Sequence, residues 1–182
     1  MKKNDYLCEI KHIIDYESTR SISYTEYKKA YDYVDKRFPN LNIKDVVIYL
    51  YDRNNIFGIL SKKGSCGFYS VILDTIFVAN RGEDSPISID ETIVHELLHY
   101  VSFHDNSDSI NALYEEYFSY ANSLEYFKNK GWSDEDLVSK YLFPFFKTIC
   151  SKKIAMDKAK RFLKEHMKKD VPTNKNDFLN IL

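Results

Sequence analysis

The chain has 182 residues, of which 44% are hydrophobic and 29% are charged, a composition typical of one globular domain that buries its own core. Its formal net charge of −1 excludes a bulk electrostatic attraction to nucleic acid or to an anionic membrane surface. The three cysteines form no C-x-x-C pair, which argues against a cysteine metal site or a disulfide framework and favours a reducing compartment.

The sequence shows no targeting or membrane segment. Residues 1–9 carry charges but no apolar run of signal-peptide length, and no stretch approaches the roughly 20 apolar residues of a membrane span. We therefore expect a cytoplasmic protein, or a secreted one if a signal has been removed, with neither a nucleic acid nor a membrane as partner. The 15 tyrosines and 12 phenylalanines suit core packing or a groove that binds a peptide or protein.

The first forty residues are predicted to be helical. Apolar residues at helical spacing predict one helix over residues 5–17. The stretch Ser23-Tyr24-Thr25-Glu26 has the form of a capping box and predicts that a second helix begins there and runs to about Arg37. Pro39 then ends this helix.

A strand-rich block follows. Runs of β-branched and aromatic residues predict strands over 45–51, 56–60, 67–73 and 75–79, and the last two form either one long strand or two short ones. We assign residues 75–80 to an exposed edge of the resulting sheet, where an extended peptide can add as one more strand.

The remaining elements are predicted helices. They are a helix capped by Ser88 or Asp90 and ending at His104, a helix over 110–128, an aromatic segment over 136–150 interrupted by Pro144, and a basic amphipathic helix over 152–169. We expect a single α+β domain over residues 1–182. It has N-terminal helices in 1–40, the core in 45–130 and C-terminal helices in 133–182.

The motif with the clearest chemistry is His95-Glu96-Leu97-Leu98-His99, which fits H-E-x-x-H. On a helix, residues four apart lie on one face, so both imidazoles can reach one metal ion. Neutral imidazole suits zinc, and Glu96 can act as general base toward the water that the metal activates. The apolar residues of this helix form a stripe roughly 150° from the histidines. The alternative is a surface helix that carries two histidines by chance.

A catalytic zinc usually has three protein ligands, so two histidines are incomplete. The helix over 110–128 offers Glu115 and Glu116. Helical phase alone does not choose between them, because both lie about equally far from the apolar stripe of that helix. A third candidate is Asp105, which follows the motif closely in sequence.

H-E-x-x-H followed by a helix that carries E-x-x-A resembles the pattern of gluzincin metallopeptidases, with small single-domain, lethal-factor-like and ImmA/IrrE-like members. Glu116-Tyr117-Phe118-Ser119 supplies the second part, with serine in place of alanine. The resemblance covers residues 67–125 and selects Glu116 over Glu115 as ligand. It implies a zincin-like fold in which a small mixed or antiparallel sheet packs on the H-E-x-x-H helix.

Metzincins offer the other resemblance, because their motif continues as H-E-x-x-H-x-x-G-x-x-H, with aspartate last in some members. Counting on from His99, the glycine position holds Ser102 and the last ligand position holds Asp105. The glycine that lets the chain turn back is missing, so this resemblance is the weaker one.

These observations lead to two hypotheses. The first is an endopeptidase with one zinc ion per chain, in which Glu96 is the general base and a protein or peptide is the substrate. The alternative is a non-catalytic regulatory or protein-binding module on a zincin fold. The donor that would stabilise the oxyanion stays open among Tyr114, Tyr120, Tyr126 and His166.

Overall fold

A computed structural model describes residues 19–52, 66–80, 85–104 and 112–167. Contacts divide the chain into two units, Met1–Tyr100 and Val101–Leu182. The predicted helix over 5–17, the predicted strand over 56–60 and Asp105 lie outside the described residues. The chain mixes helices with a mixed sheet, which confirms the expected α+β class.

The first unit contains a sheet that has four strands within the described ranges, in the order β1-β2-β4-β3. These are β1 (Arg20–Ile22), β2 (Ile48–Asp52), β3 (Gly67–Ser70) and β4 (Thr75–Asn80). β2 and β4 run parallel, whereas β1 and β3 run antiparallel to their neighbours. The sheet is therefore mixed, with its one parallel pair at the centre.

The assignment of residues 75–80 to a sheet edge is wrong. β4 pairs with β2 on one side and with β3 on the other, so the edges of the described sheet are β1 and β3. The physical reason is already present in the sequence, because Ile76-Phe77-Val78-Ala79 is a continuous apolar run and all four residues are buried. Such a run is typical of a central strand covered on both faces.

Residues 67–80 form two strands rather than one long strand. The chain reverses between β3 and β4 through Asp74, whose φ of 49° lies in the left-handed region that aspartate tolerates. Tyr69 donates a hydrogen bond from its hydroxyl to Asp74 Oδ1 at 2.6 Å, and the Thr75 hydroxyl donates to the Leu73 carbonyl at 2.9 Å. These local bonds hold the hairpin turn.

Helix α1 (Lys28–Arg37) begins later than the capping box predicts. The Ser23 amide does donate to Glu26 Oε1 at 3.0 Å, but the residues up to Tyr27 form turns before the helix starts. α1 buries Ala30, Tyr31 and Val34. The Tyr31 hydroxyl donates to the Val46 carbonyl at 3.1 Å, which ties α1 to the segment just before β2.

Helix α2 spans Ile89–His104, and the boundary between the two units falls within it, after Tyr100. Its predicted apolar stripe is confirmed, because Ile93, Val94, Leu97, Leu98 and Val101 are all fully buried. Side chains of described residues bring the sheet and this helix together. Gly67 of β3 lies against the Glu96 side chain, and the rings of Tyr69 and Tyr100 meet edge to face at 5.7 Å.

The second unit is helical, with α3 (Ala112–Asn129), α4 (Phe143–Ile149) and α5 (Lys152–His166). α3 ends in a Schellman motif, since the Trp132 amide donates to the Phe127 carbonyl and Gly131 has a φ of 95°. The predicted cap at Ser133 is confirmed, because its hydroxyl accepts from the Asp136 amide at 3.0 Å.

The predicted aromatic segment over 136–150 contains a change in helix type. Leu137–Leu142 is a π-helical stretch, and Pro144 then sits in the first turn of α4. Pro144 has no amide hydrogen to donate, and the amide just before it, that of Phe143, donates to the Val138 carbonyl five residues earlier in the π-helical stretch. Aromatic rings fill the unit's core, with Phe127 stacked on Tyr141 at 4.1 Å and Tyr117 packed edge to face on Phe146 at 5.7 Å.

None of the helices in the described ranges combines the length and the apolar character that crossing a membrane requires. The longest of them, α3, has 18 residues and carries Glu115, Glu116, Glu125 and Lys128 along its length.

Candidate metal centre

Helix α2 positions the first two candidate ligands, and hydrogen bonds of Ser88 cap its start. The Thr92 amide donates to the Ser88 carbonyl at 3.0 Å, which makes Ser88 the N-cap. The Ser88 amide donates to Glu91 Oε2 at 2.8 Å, as the glutamate of a capping box does. Asp90, the other predicted cap, instead accepts from the Ser88 hydroxyl at 2.6 Å.

His95 and His99 face the same side of α2. Their Nε2 atoms are 3.1 Å apart, and their ring centroids are 4.8 Å apart. Two Zn–N bonds of about 2.05 Å at a tetrahedral angle would hold the nitrogens about 3.4 Å apart. The same distance also fits a hydrogen bond between one protonated and one unprotonated Nε2 nitrogen. The 3.1 Å separation is thus compatible with two imidazoles that reach a common centre.

A carboxylate from α3 joins the two histidines. Ligand atoms of His95, His99 and Glu116 all lie within 4.8 Å of one another, and all three residues are half-buried. Among the described residues, these three side chains form a group of His, Cys, Asp or Glu that could hold one metal ion. Glu115 is also half-buried but does not belong to this group, and Asp105 lies outside the described residues.

The donor set fits zinc. Two imidazole nitrogens and one carboxylate oxygen are the ligands of one common type of catalytic zinc site, which leaves the fourth position for water. The described cysteines, Cys66 and Cys150, are half-buried thiols outside the group, so the set has no soft sulfur ligand. Whether these residues bind zinc stays a prediction.

Glu96 lies between the histidines in sequence but is more deeply buried than either, with only 5% of its surface exposed. Its Cγ and Oε1 atoms lie beside Gly67, where a side-chain carbon would come within 3.0 Å and 3.1 Å of them. The predicted base is therefore packed against β3 and does not project into solvent.

Gly67 is the residue near the site that sequence reasoning missed. The sequence does contain a signal for this role, because an isolated glycine inside a predicted strand often marks a place where another group approaches the backbone closely. The sequence alone could not identify that group, since Gly67 and Glu96 are 29 positions apart.

Ser119 occupies the position at which the gluzincin pattern carries alanine. It is fully buried, and its hydroxyl oxygen is buried with no hydrogen-bond partner among the described residues. Ser123, one turn later and also fully buried, differs because its hydroxyl bonds to the Ser119 carbonyl at 2.8 Å and the Tyr141 hydroxyl at 2.6 Å. An apolar side chain at position 119 would therefore suit these surroundings better than serine, because it buries no polar atom that lacks a hydrogen bond.

The candidate oxyanion donors lie in or around the aromatic packing of the second unit. Tyr114 and Tyr126 are buried, Tyr120 stacks on Phe145 at 4.7 Å, and the His166 ring packs on Phe162 at 4.3 Å. The choice among them stays open.

Comparison with known proteins adds no family to these observations. No protein-family model matches the chain, and neither the curated proteins nor the solved structures contain a match.

Proposed function

We propose that this protein is a zinc-dependent endopeptidase of the gluzincin type on a zincin-like fold. His95, His99 and Glu116 would hold one zinc ion, and Glu96 would act as general base on a protein or peptide substrate. The observation that supports this most is the grouping of the three ligand atoms within 4.8 Å of one another. The sequence pattern predicted that group from residues on two different helices.

Bound zinc would polarise the scissile carbonyl and acidify the attacking water. The Glu96 carboxylate accepts a proton from that water as the new C–O bond forms at the carbonyl carbon. Glu96 then returns the proton to the amide nitrogen as the C–N bond breaks, so water is consumed and the carboxylate is regenerated. Because Glu96 is 5% exposed and lies against Gly67 of β3, its surroundings limit the positions that the carboxylate can take.

The proposal assigns zinc binding and proton transfer to different residues, so variants can separate the two roles. Glu96→Gln keeps the size of the side chain but cannot accept a proton, so we expect one zinc per chain and a loss in kcat of at least about 10²–10⁴-fold. His99→Ala removes a ligand, so we expect both zinc and activity to be lost. Cleavage of an unfolded protein, followed with and without a chelator, and metal content by mass spectrometry measure both properties.

Three outcomes are decisive. Chelator-sensitive cleavage that Glu96→Gln abolishes without loss of zinc supports the proposal. Full activity in Glu96→Gln ends the assignment of Glu96 as base. Stoichiometric zinc without cleavage of unfolded proteins, or of peptides derived from them, contradicts the peptidase and favours the alternative of a non-catalytic, protein-binding module.

A further inference from the structure

We propose that Gly67 is a positioning residue for Glu96, and that the absence of a side chain on β3 fixes where the carboxylate of the base lies. This inference rests on the proposed function only in taking Glu96 as the base. The packing on which it depends lies within the first unit and can be tested without any activity.

The geometry around Gly67 leaves no room for a methyl group. A Cβ atom there would lie 2.8 Å from the Phe77 carbonyl oxygen, 3.0 Å from Glu96 Cγ and 3.1 Å from Glu96 Oε1. Contacts shorter than about 3.4 Å fall well inside the optimal separation of nonbonded carbon atoms. Glycine is thus required by the close approach of the Phe77 carbonyl and of the Glu96 side chain, and not by an unusual backbone angle.

The two neighbours of Gly67 differ in how easily they move. Phe77 belongs to the central strand β4, where it lies opposite Tyr49 of β2 and Phe68 of β3, so its carbonyl cannot move without disturbing the paired backbone. The Glu96 side chain is joined to α2 through single bonds that can rotate. A methyl group at position 67 would therefore displace the Glu96 carboxylate more readily than the Phe77 carbonyl.

Displacement of the carboxylate would affect catalysis and leave the metal ligands in place. A shift of about 1 Å in a catalytic group can lower the rate by about 10²-fold. Gly67→Ala should therefore lower kcat by about that factor and leave KM and zinc affinity close to those of the wild type. If Gly67 had only a structural role, Gly67→Ala would change kcat, KM and zinc affinity together, or would change none of them.

A double-mutant cycle measures the contact directly in the full-length chain. In the wild-type background, Gly67→Ala introduces all three close contacts, and we expect the Tm to fall by about 3–6 °C. In the Glu96→Ala background, the Cγ and Oε1 contacts are gone and only the Phe77 carbonyl remains. The fall in Tm should then be smaller than in the wild-type background.

Gly131→Ala is the matched control. It places a methyl group at a φ of 95°, so it strains the backbone, but no heavy atom of the described residues lies within 4 Å of that methyl. We expect a loss of stability without a change in kcat. A fall in kcat for Gly67→Ala that Gly131→Ala also shows would overturn the positioning role.

The remaining outcomes also decide the proposal. Equal Tm losses in the wild-type and Glu96→Ala backgrounds would contradict it, and so would wild-type kcat in Gly67→Ala. If Gly67→Ala does not fold, folding of Gly67→Ala/Glu96→Ala supports the proposal, and failure of both variants overturns it. If the wild type cleaves nothing, the proposed function fails, but the cycle still shows whether Gly67 accommodates Glu96.

Discussion

Replacing Ser119 by alanine should stabilise the protein, against the usual trend for buried positions. Ser119 is fully buried in α3, and within the described part of the chain its hydroxyl oxygen has no hydrogen-bond partner. Burying an unsatisfied polar group costs about 1–3 kcal/mol, and alanine is favoured over serine inside a helix by up to about 0.5 kcal/mol. The small void left by the oxygen offsets part of this gain. We expect a net stabilisation of about 1–2 kcal/mol.

Thermal and urea denaturation can measure this difference. For a chain of this size, 1–2 kcal/mol corresponds to a rise in Tm of about 2–8 °C. Ser123→Ala provides a matched control, since it makes the same change one turn later on the same helix, at a residue that is equally buried.

Ser123 should behave in the opposite way. Its hydroxyl bonds to the Ser119 carbonyl and to the Tyr141 hydroxyl, so we expect Ser123→Ala to lower stability by about 1–3 kcal/mol. A fall in Tm for Ser119→Ala similar to that for Ser123→Ala would refute the reasoning, because it would mean that the Ser119 hydroxyl is hydrogen-bonded in solution.

Two further predictions concern α2 and the third ligand. Glu91→Ala removes the acceptor for the Ser88 amide at the start of α2, and we expect a loss of about 1 kcal/mol in the free energy of unfolding. An unchanged urea midpoint would show that this cap does not hold the helix. Glu116→Gln should weaken zinc binding by at least about 100-fold in competition with a chromophoric chelator, because it removes a charged ligand. Glu115→Gln should leave the affinity unchanged, and the reverse pattern would transfer the ligand role to Glu115.

The parts of the fold that follow from local periodicity could be predicted from the sequence. The apolar stripe of α2 and the cap at Ser133 depend on residues within one or two turns, and both are found as expected. The grouping of Glu116 with the two histidines could also be anticipated. There, however, a family resemblance chose between Glu115 and Glu116, because helical phase did not.

The errors arise where distant parts of the chain decide the outcome. Strand order depends on which strands pair, and β4 lies inside the sheet because β2, from far earlier in the chain, pairs with it in parallel. The space that Gly67 provides for Glu96 is likewise a contact between separate elements. The late start of α1 at Lys28 is an error of a different, local kind. It shows that the serine-to-glutamate hydrogen bond of a capping box can form inside a turn before the helix begins.

A crystal structure of the zinc-loaded protein, with anomalous data collected at the zinc absorption edge, would test the central claim most directly. We predict one anomalous peak per chain within about 2.0–2.2 Å of His95 Nε2, His99 Nε2 and a Glu116 carboxylate oxygen, with the remaining position open to solvent. A zinc ion held by other side chains, or no zinc at these three residues, would contradict the account.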